Sequence, residues 1–187
     1  MHQTPQETGA PSSPWDSIVG IISEIKRCEA AGVTVAGVAM AYICIDAMAY
    51  LSIPEGQKTQ TKTDFISWTN KYLEADPEQI YQYAGDDVYA ARCALLHTFA
   101  AEAERHHKDQ NLKIFGYHDG GRHMFDQSKH PRLVLIGTAS FLNDVALAVD
   151  KFMKSCQHDS SLRQRVESRL PSLLKMLPLR SENFCGD

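Results

Sequence analysis

The chain has 187 residues, 43% of them hydrophobic and 22% charged, with a formal net charge of -4. That balance belongs to a globular chain with enough apolar material for a core. It excludes broad nonspecific nucleic-acid binding driven by phosphate neutralisation, while leaving room for a local basic patch.

Five cysteines lie at positions 28, 44, 93, 156 and 185. Their odd number, wide spacing and lack of a CxxC pair predict reduced thiols in a cytoplasmic protein. The opening residues 1–14 are polar and carry no basic-then-apolar secretion pattern, so a disordered tail is expected there. Residues 15–175 are expected to form one helical domain, followed by a C-terminal tail over 176–187.

Ser13 or Asp16 is placed to cap a first helix, whose stripe is Ile18, Ile21, Ile22 and Ile25 and whose end is Gly32. Thr34 would cap a second helix running to about Ser52. The apolar run from Gly32 to Ile53 is long enough for a bilayer, but Asp46 lies inside it without a basic flank. A central helix covered by neighbours is the expectation, with no membrane partner. Thr63 is read as the cap of a third helix with Phe65, Trp68 and Leu73 on one face. Residues 74–85 suggest a turn with a short helix, and Asp86 a cap for the segment that follows.

After Lys108 the pattern changes. Two short apolar-aromatic runs flank Asp119-Gly120-Gly121, which reads as a β-hairpin inside an insertion over 111–136. "RLVLIG" offers a third strand. Helical spacing returns through Phe141, Leu142, Val145, Val149 and Phe152, and Pro171 marks a kink or new start in a last helix. The sum is a mostly α bundle with a small β-hairpin insertion.

The segment 86–99, "DDVYAARCALLHTF", is apolar on most sides yet carries Arg92 and His97. Val88, Ala91, Leu95 and Phe99 share one face of an ideal helix; Asp86, Tyr89, Cys93 and His97 share another. A covered arginine needs an acceptor, and Asp46 is the lone charge of the second helix, so a buried Arg92–Asp46 pair with a hydrogen-bonded His97 is one reading. The other is chemical. Arginine can hold a phosphate through two hydrogen bonds, and histidine can move a proton near neutral pH. In RNA the 2′-OH supplies the nucleophile, so neither metal nor cofactor is required. Five residues leave the two side chains about 140° apart on an ideal helix. A shared site therefore needs the arginine to sweep round, or a two-fold dimer.

"VYAARCALLH" resembles the signature of HEPN-domain proteins, an Arg-x4-6-His segment on a late helix of an up-and-down helical bundle. The likeness covers roughly residues 15–105, with "ICIDAMAYL" suiting a preceding helix. It implies that Arg92 and His97 form a catalytic pair in a metal-independent endoribonuclease of toxin or defence type. It also implies a homodimer acting on RNA, with a possible antitoxin-like protein partner. Asp46, Tyr89 and Cys93 would support the pair. Active members usually carry Asn, Asp or His where this chain has Cys93. The alternative is a noncatalytic dimerisation or interaction module in which Arg92, Asp46 and His97 are structural.

Cys93 and His97 are also spaced to suit a thiolate–imidazole pair. Five of the eight histidines fall between 106 and 130. In a hairpin, His118 and His123 would be cross-strand neighbours able to bind a metal, although exposed histidines without metal are the preferred reading. Arg105, Lys108, Arg122 and His123 would then line a basic surface for nucleic acid. Phe115, Tyr117 and Phe125 would offer stacking faces or core packing.

Overall fold

The computed structural model describes residues 13–73 and 81–174. The expected tails, apart from Ser13 and Pro14, and most of the predicted 74–85 turn-helix lie outside the described residues. Residues 81–84 have no regular structure.

The described chain is mostly helical with a small three-stranded sheet. The helices are α1 (Asp16–Ala30), α2 (Thr34–Ser52), α3 (Lys62–Tyr72), α4 (Gly85–Cys93), α5 (Glu104–Lys108), α6 (Thr138–His158) and α7 (Ser160–Arg169). A π-helical turn, Ala94–Thr98, extends α4, and a 3-10 turn, Leu170–Ser172, contains Pro171.

Helix α2 is the centre. It packs against α1, α3, α6 and α7. Its small residues permit this close approach: a Cβ added at Gly37 would meet a Leu142 methyl at 3.3 Å. Ile45, Met48 and Leu51 are fully buried, each stabilising the fold by about 1.5–3 kcal/mol relative to exposure. Trp68, Tyr72 and Phe152 meet in a cluster that joins α3 to α6.

The helix ends differ from several sequence expectations. Gly32, at φ +66°, does end α1: Val33 N–H donates to Cys28 O and Gly32 N–H to Glu29 O. Thr34, however, is the first residue of α2 and gives no side-chain cap. Thr61, not Thr63, caps α3, exchanging bonds with Asp64 in a reciprocal box. For α4 the acceptor is Asp87, not Asp86. Its Oδ2 receives Ala84 N–H at 2.8 Å, while Oδ1 receives Lys113 N–H at 2.7 Å and ties the helix to the sheet.

The predicted hairpin does not form. Strand β1 (Ile114–His118) pairs in parallel with β3 (Leu133–Gly137), and β2 (Met124–Phe125) pairs antiparallel with β3 from the other side. The order β1-β3-β2 places the third strand between the two expected partners. Residues 119–123 instead wrap over the end of β3. A Cβ added at Gly137 would sit 2.7–2.9 Å from the carbonyl oxygens of Gly120, Gly121 and Arg122. Helix α6 leaves directly from β3 and buries Phe141, Leu142, Val145, Ala148, Val149 and Phe152.

Candidate functional site

Val35, Ala39, Ile43, Asp46 and Tyr50 follow one another at helical spacing along the less covered side of α2. Asp46 interrupts this apolar strip where α4 passes. Arg92 reaches it with Nε at 2.8 Å and Nη2 at 2.7 Å, both on Oδ2. Gln60, from the loop before α3, donates to Oδ1 at 3.4 Å. The side chains of Arg92 and Asp46 retain 21% and 23% of their exposure, so the pair is half-open rather than sealed.

Arg92 Nη1 also donates to His97 Nε2 at 3.0 Å. This contact assigns the neutral imidazole proton to Nδ1. The backbone explains how an ideal-helix separation of about 140° is overcome. From Ala94 the chain makes a π turn: Phe99 N–H is shared between Leu95 O and Ala94 O, the latter one residue further back than in an α-helix. The wider turn carries His97 back toward Arg92. It stops at Phe99, which holds φ 51°, ψ 37° and is 75% exposed. Phe99 thus leaves the apolar face on which an ideal helix places it, and His97 is exposed.

Burial raises the Asp46 carboxyl above its ordinary pKa, against the opposing hydrogen bond and charge of Arg92. For Arg92, desolvation acts downward, but its bond to Asp46 holds the guanidinium above its usual value. The remaining supporting residues sit alongside. Tyr89 stacks edge-on against Phe65 and lies under Arg105, 5.1 Å from guanidinium to ring centre. Burial, followed by Cys93, raises the Tyr89 phenol. Cys93 is half-buried beside Arg92 in the chain, and His97 Nε2 takes its hydrogen bond from Arg92.

Of the expected basic surface, Lys108 is exposed and pairs with Glu104 at 2.6 Å. Arg105 and Lys62 both contact Asp86 Oδ1, at 3.4 and 2.9 Å. Arg122 is exposed on the 119–123 loop. His123 does not join them. Its side chain is buried, with Nε2 3.1 Å from Asp144 Oδ2 and Nδ1 accepting Gly137 N–H at 3.2 Å. Tyr83 packs its ring against it.

Nor do His118 and His123 face each other. His118 braces its own loop, accepting Gly120 N–H and donating to Arg122 O. His106 is also buried and links Ala103 N–H to Lys113 O. No group of three or more metal-ligating side chains occurs among the described residues. Phe115 is a core residue, and Tyr117 bonds Tyr42 at 2.6 Å, so neither presents a stacking face. Sequence periodicity missed Phe99 and Gln60: the first needs the π turn, the second the fold of the 53–61 loop.

No family model, curated protein or solved structure matches this chain.

Proposed function

We propose that this protein is an RNA-binding, HEPN-like helical protein that cleaves RNA without metal, with Arg92 and His97 as the reacting pair. The observation that carries the reading is the Asp46–Arg92–His97 chain, drawn together by a π turn and open to solvent on the His97 side. Such turns in α-helices occur frequently at functional sites.

In the proposed reaction a phosphodiester draws the Arg92 Nη groups onto its non-bridging oxygens, which frees His97 Nε2. Nε2 then takes the proton of the neighbouring 2′-OH. The 2′-oxygen attacks phosphorus, the bond to the 5′-oxygen breaks, and the imidazolium returns the proton to that leaving oxygen. The products are a 2′,3′-cyclic phosphate and a 5′-OH. Arg92 offsets charge on the pentacoordinate phosphorus, and Asp46 orients Arg92. RNA phosphates would compete with Asp86 for Arg105 and with Glu104 for Lys108, Arg122 would add a cation from a separate loop, and exposed Phe99 would offer a stacking face.

A second copy would cover the Val35–Ile43 strip of α2 and bring two such motifs together across a two-fold axis. A cytoplasmic setting and an antitoxin-like protein partner accompany this reading.

A second reading has its own support: Arg92 already satisfies Asp46 and His97, as a structural residue would. In that case the protein is a noncatalytic helical dimerisation or interaction module.

Wild type, Arg92→Ala and His97→Ala are incubated with total RNA in EDTA, with circular dichroism to confirm folding and sedimentation to read the oligomer. Loss of cleavage by about 10²-fold or more in both folded variants is expected. Folded wild type without cleavage refutes the enzyme and favours the interaction module.

A further inference from the structure

A cleft of about 190 Å³ lies between the C-terminal end of α2, α3 and α7. It shares no lining residue with the Arg92 site. Its walls include Trp68, Tyr72 and Leu162, with Lys71, Arg165 and Ser67 among the polar side chains.

Two buried donors on its lining residues lack an acceptor. Trp68 is 3% exposed, and its Nε1–H has no hydrogen-bond partner. The Nε–H of Arg165 is likewise buried without one. A buried donor left unpaired is costly, and here two such donors belong to residues of one cleft. Among the described residues neither Arg165 nor Lys71 has a carboxylate within ion-pair distance; the Lys71 ammonium instead lies 5.0 Å from the Tyr72 ring centre. One carboxylate does line the cleft, that of Asp64. Its Oδ2 already accepts Thr61 N–H, Thr61 Oγ1–H and Gln57 Nε2–H as part of the α3 cap.

Two cations, an indole N–H and a hydroxyl, set between aromatic and aliphatic walls, call for a compact multivalent acceptor. A carboxylate can accept about four hydrogen bonds, but all its lone pairs lie in one plane. A tetrahedral oxyanion presents oxygens in four directions, and arginine binds phosphate through paired N–H groups. The volume suits one such ion with a few waters, each of which occupies about 30 Å³.

We propose that this cleft is a binding site for a phosphate group, held by Arg165 and Lys71 with Trp68 Nε1–H as a third donor. The group is either free phosphate or the end of a phosphomonoester.

The chain has two tryptophans, so the indole N–H resonances of the ¹⁵N-labelled full chain read the site directly. Trp15→Phe assigns them. Inorganic phosphate and adenosine 5′-monophosphate are titrated separately at constant ionic strength against chloride. A saturable shift of the Trp68 indole, with Trp15 unmoved, is expected for at least one of them. Tighter binding of the nucleotide identifies the phosphomonoester; equal or tighter binding of phosphate identifies the free ion. Arg165→Gln and Lys71→Gln should each weaken binding by about tenfold or more, as loss of a charged hydrogen bond does. Lys71 is exposed, so its variant tests the site even if Arg165→Gln fails to fold. No saturable shift with either probe, the same response to chloride, or undiminished affinity in folded Lys71→Gln would overturn the proposal.

Discussion

Removal of Arg92 from its pair with Asp46 has a consequence that pH should expose. Two N–H donors, at 2.8 and 2.7 Å, converge on one carboxylate oxygen. Buried bonds to a charged group contribute about 1.5–3 kcal/mol, whereas exposed ion pairs give about 0.2–1 kcal/mol. With about a fifth of each side chain exposed, the expected coupling is about 1.5–2 kcal/mol at pH 7.

The sign of the pH dependence follows from Asp46. Burial already raises its pKa in the folded state, and Arg92 works against that rise. Arg92→Gln removes the opposition, so the folded pKa climbs further above the unfolded value of about 3.9. A carboxyl raised in the folded state loses stability as pH rises through the interval between the two values. The variant should therefore be penalised more at pH 7 than at pH 4. The assay is urea denaturation of Asp46→Asn, Arg92→Gln and the double variant at both pH values. All three, with their reference, carry His97→Gln to remove its titration. A coupling below about 0.5 kcal/mol at pH 7, or an Arg92→Gln penalty equal at both pH values, would refute the reasoning.

Two other substitutions test the frame that holds the site. Gly137→Ala pushes a methyl against three backbone carbonyls that have no side-chain freedom. A loss of about 1–3 kcal/mol or more is expected, read as a lower thermal midpoint, with hydrogen exchange accelerated over residues 119–125. Asp64→Asn breaks the α3 cap and should cost about 0.5–2 kcal/mol at neutral pH. Partial burial acts to raise the Asp64 carboxyl, but bonds from Thr61 and Gln57 hold it below its usual value. Its contribution is therefore full above about pH 3.9 and fades as pH falls through the lower folded value. Wild-type and variant denaturation curves should differ at pH 7 and converge in acid below the folded Asp64 value.

Much of the helical frame was legible because it rests on local rules. The Ile18–Ile25 stripe placed α1, and Gly32 ended it because few residues other than glycine tolerate positive φ. The apolar character of α2, broken only by Asp46, pointed to a covered helix with one charge in need of a partner. The caps were harder. Thr61, Thr63, Asp86 and Asp87 are all chemically able to cap, and the choice depends on where each chain segment enters its helix.

The sheet and the site needed more than local pattern. Asp119-Gly120-Gly121 has the composition of a two-strand turn, yet a strand from residues 133–137 pairs more extensively with β1 and takes the central place. Its arrival carries His123 inside to Asp144 and separates it from His118, while His107 and His130 stay exposed.

Sequence alone determined which residue types the candidate site contains: an arginine and a histidine five apart, and a lone aspartate on an apolar helix. Tertiary structure decided that they meet. Helical periodicity describes a regular rotation, and Ala94–Thr98 departs from it by one residue in the turn. That departure turns His97 toward Arg92 and sends Phe99 into solvent. The packing of α4 against its neighbours, not the order of residues along it, makes Asp46, Arg92 and His97 one connected group.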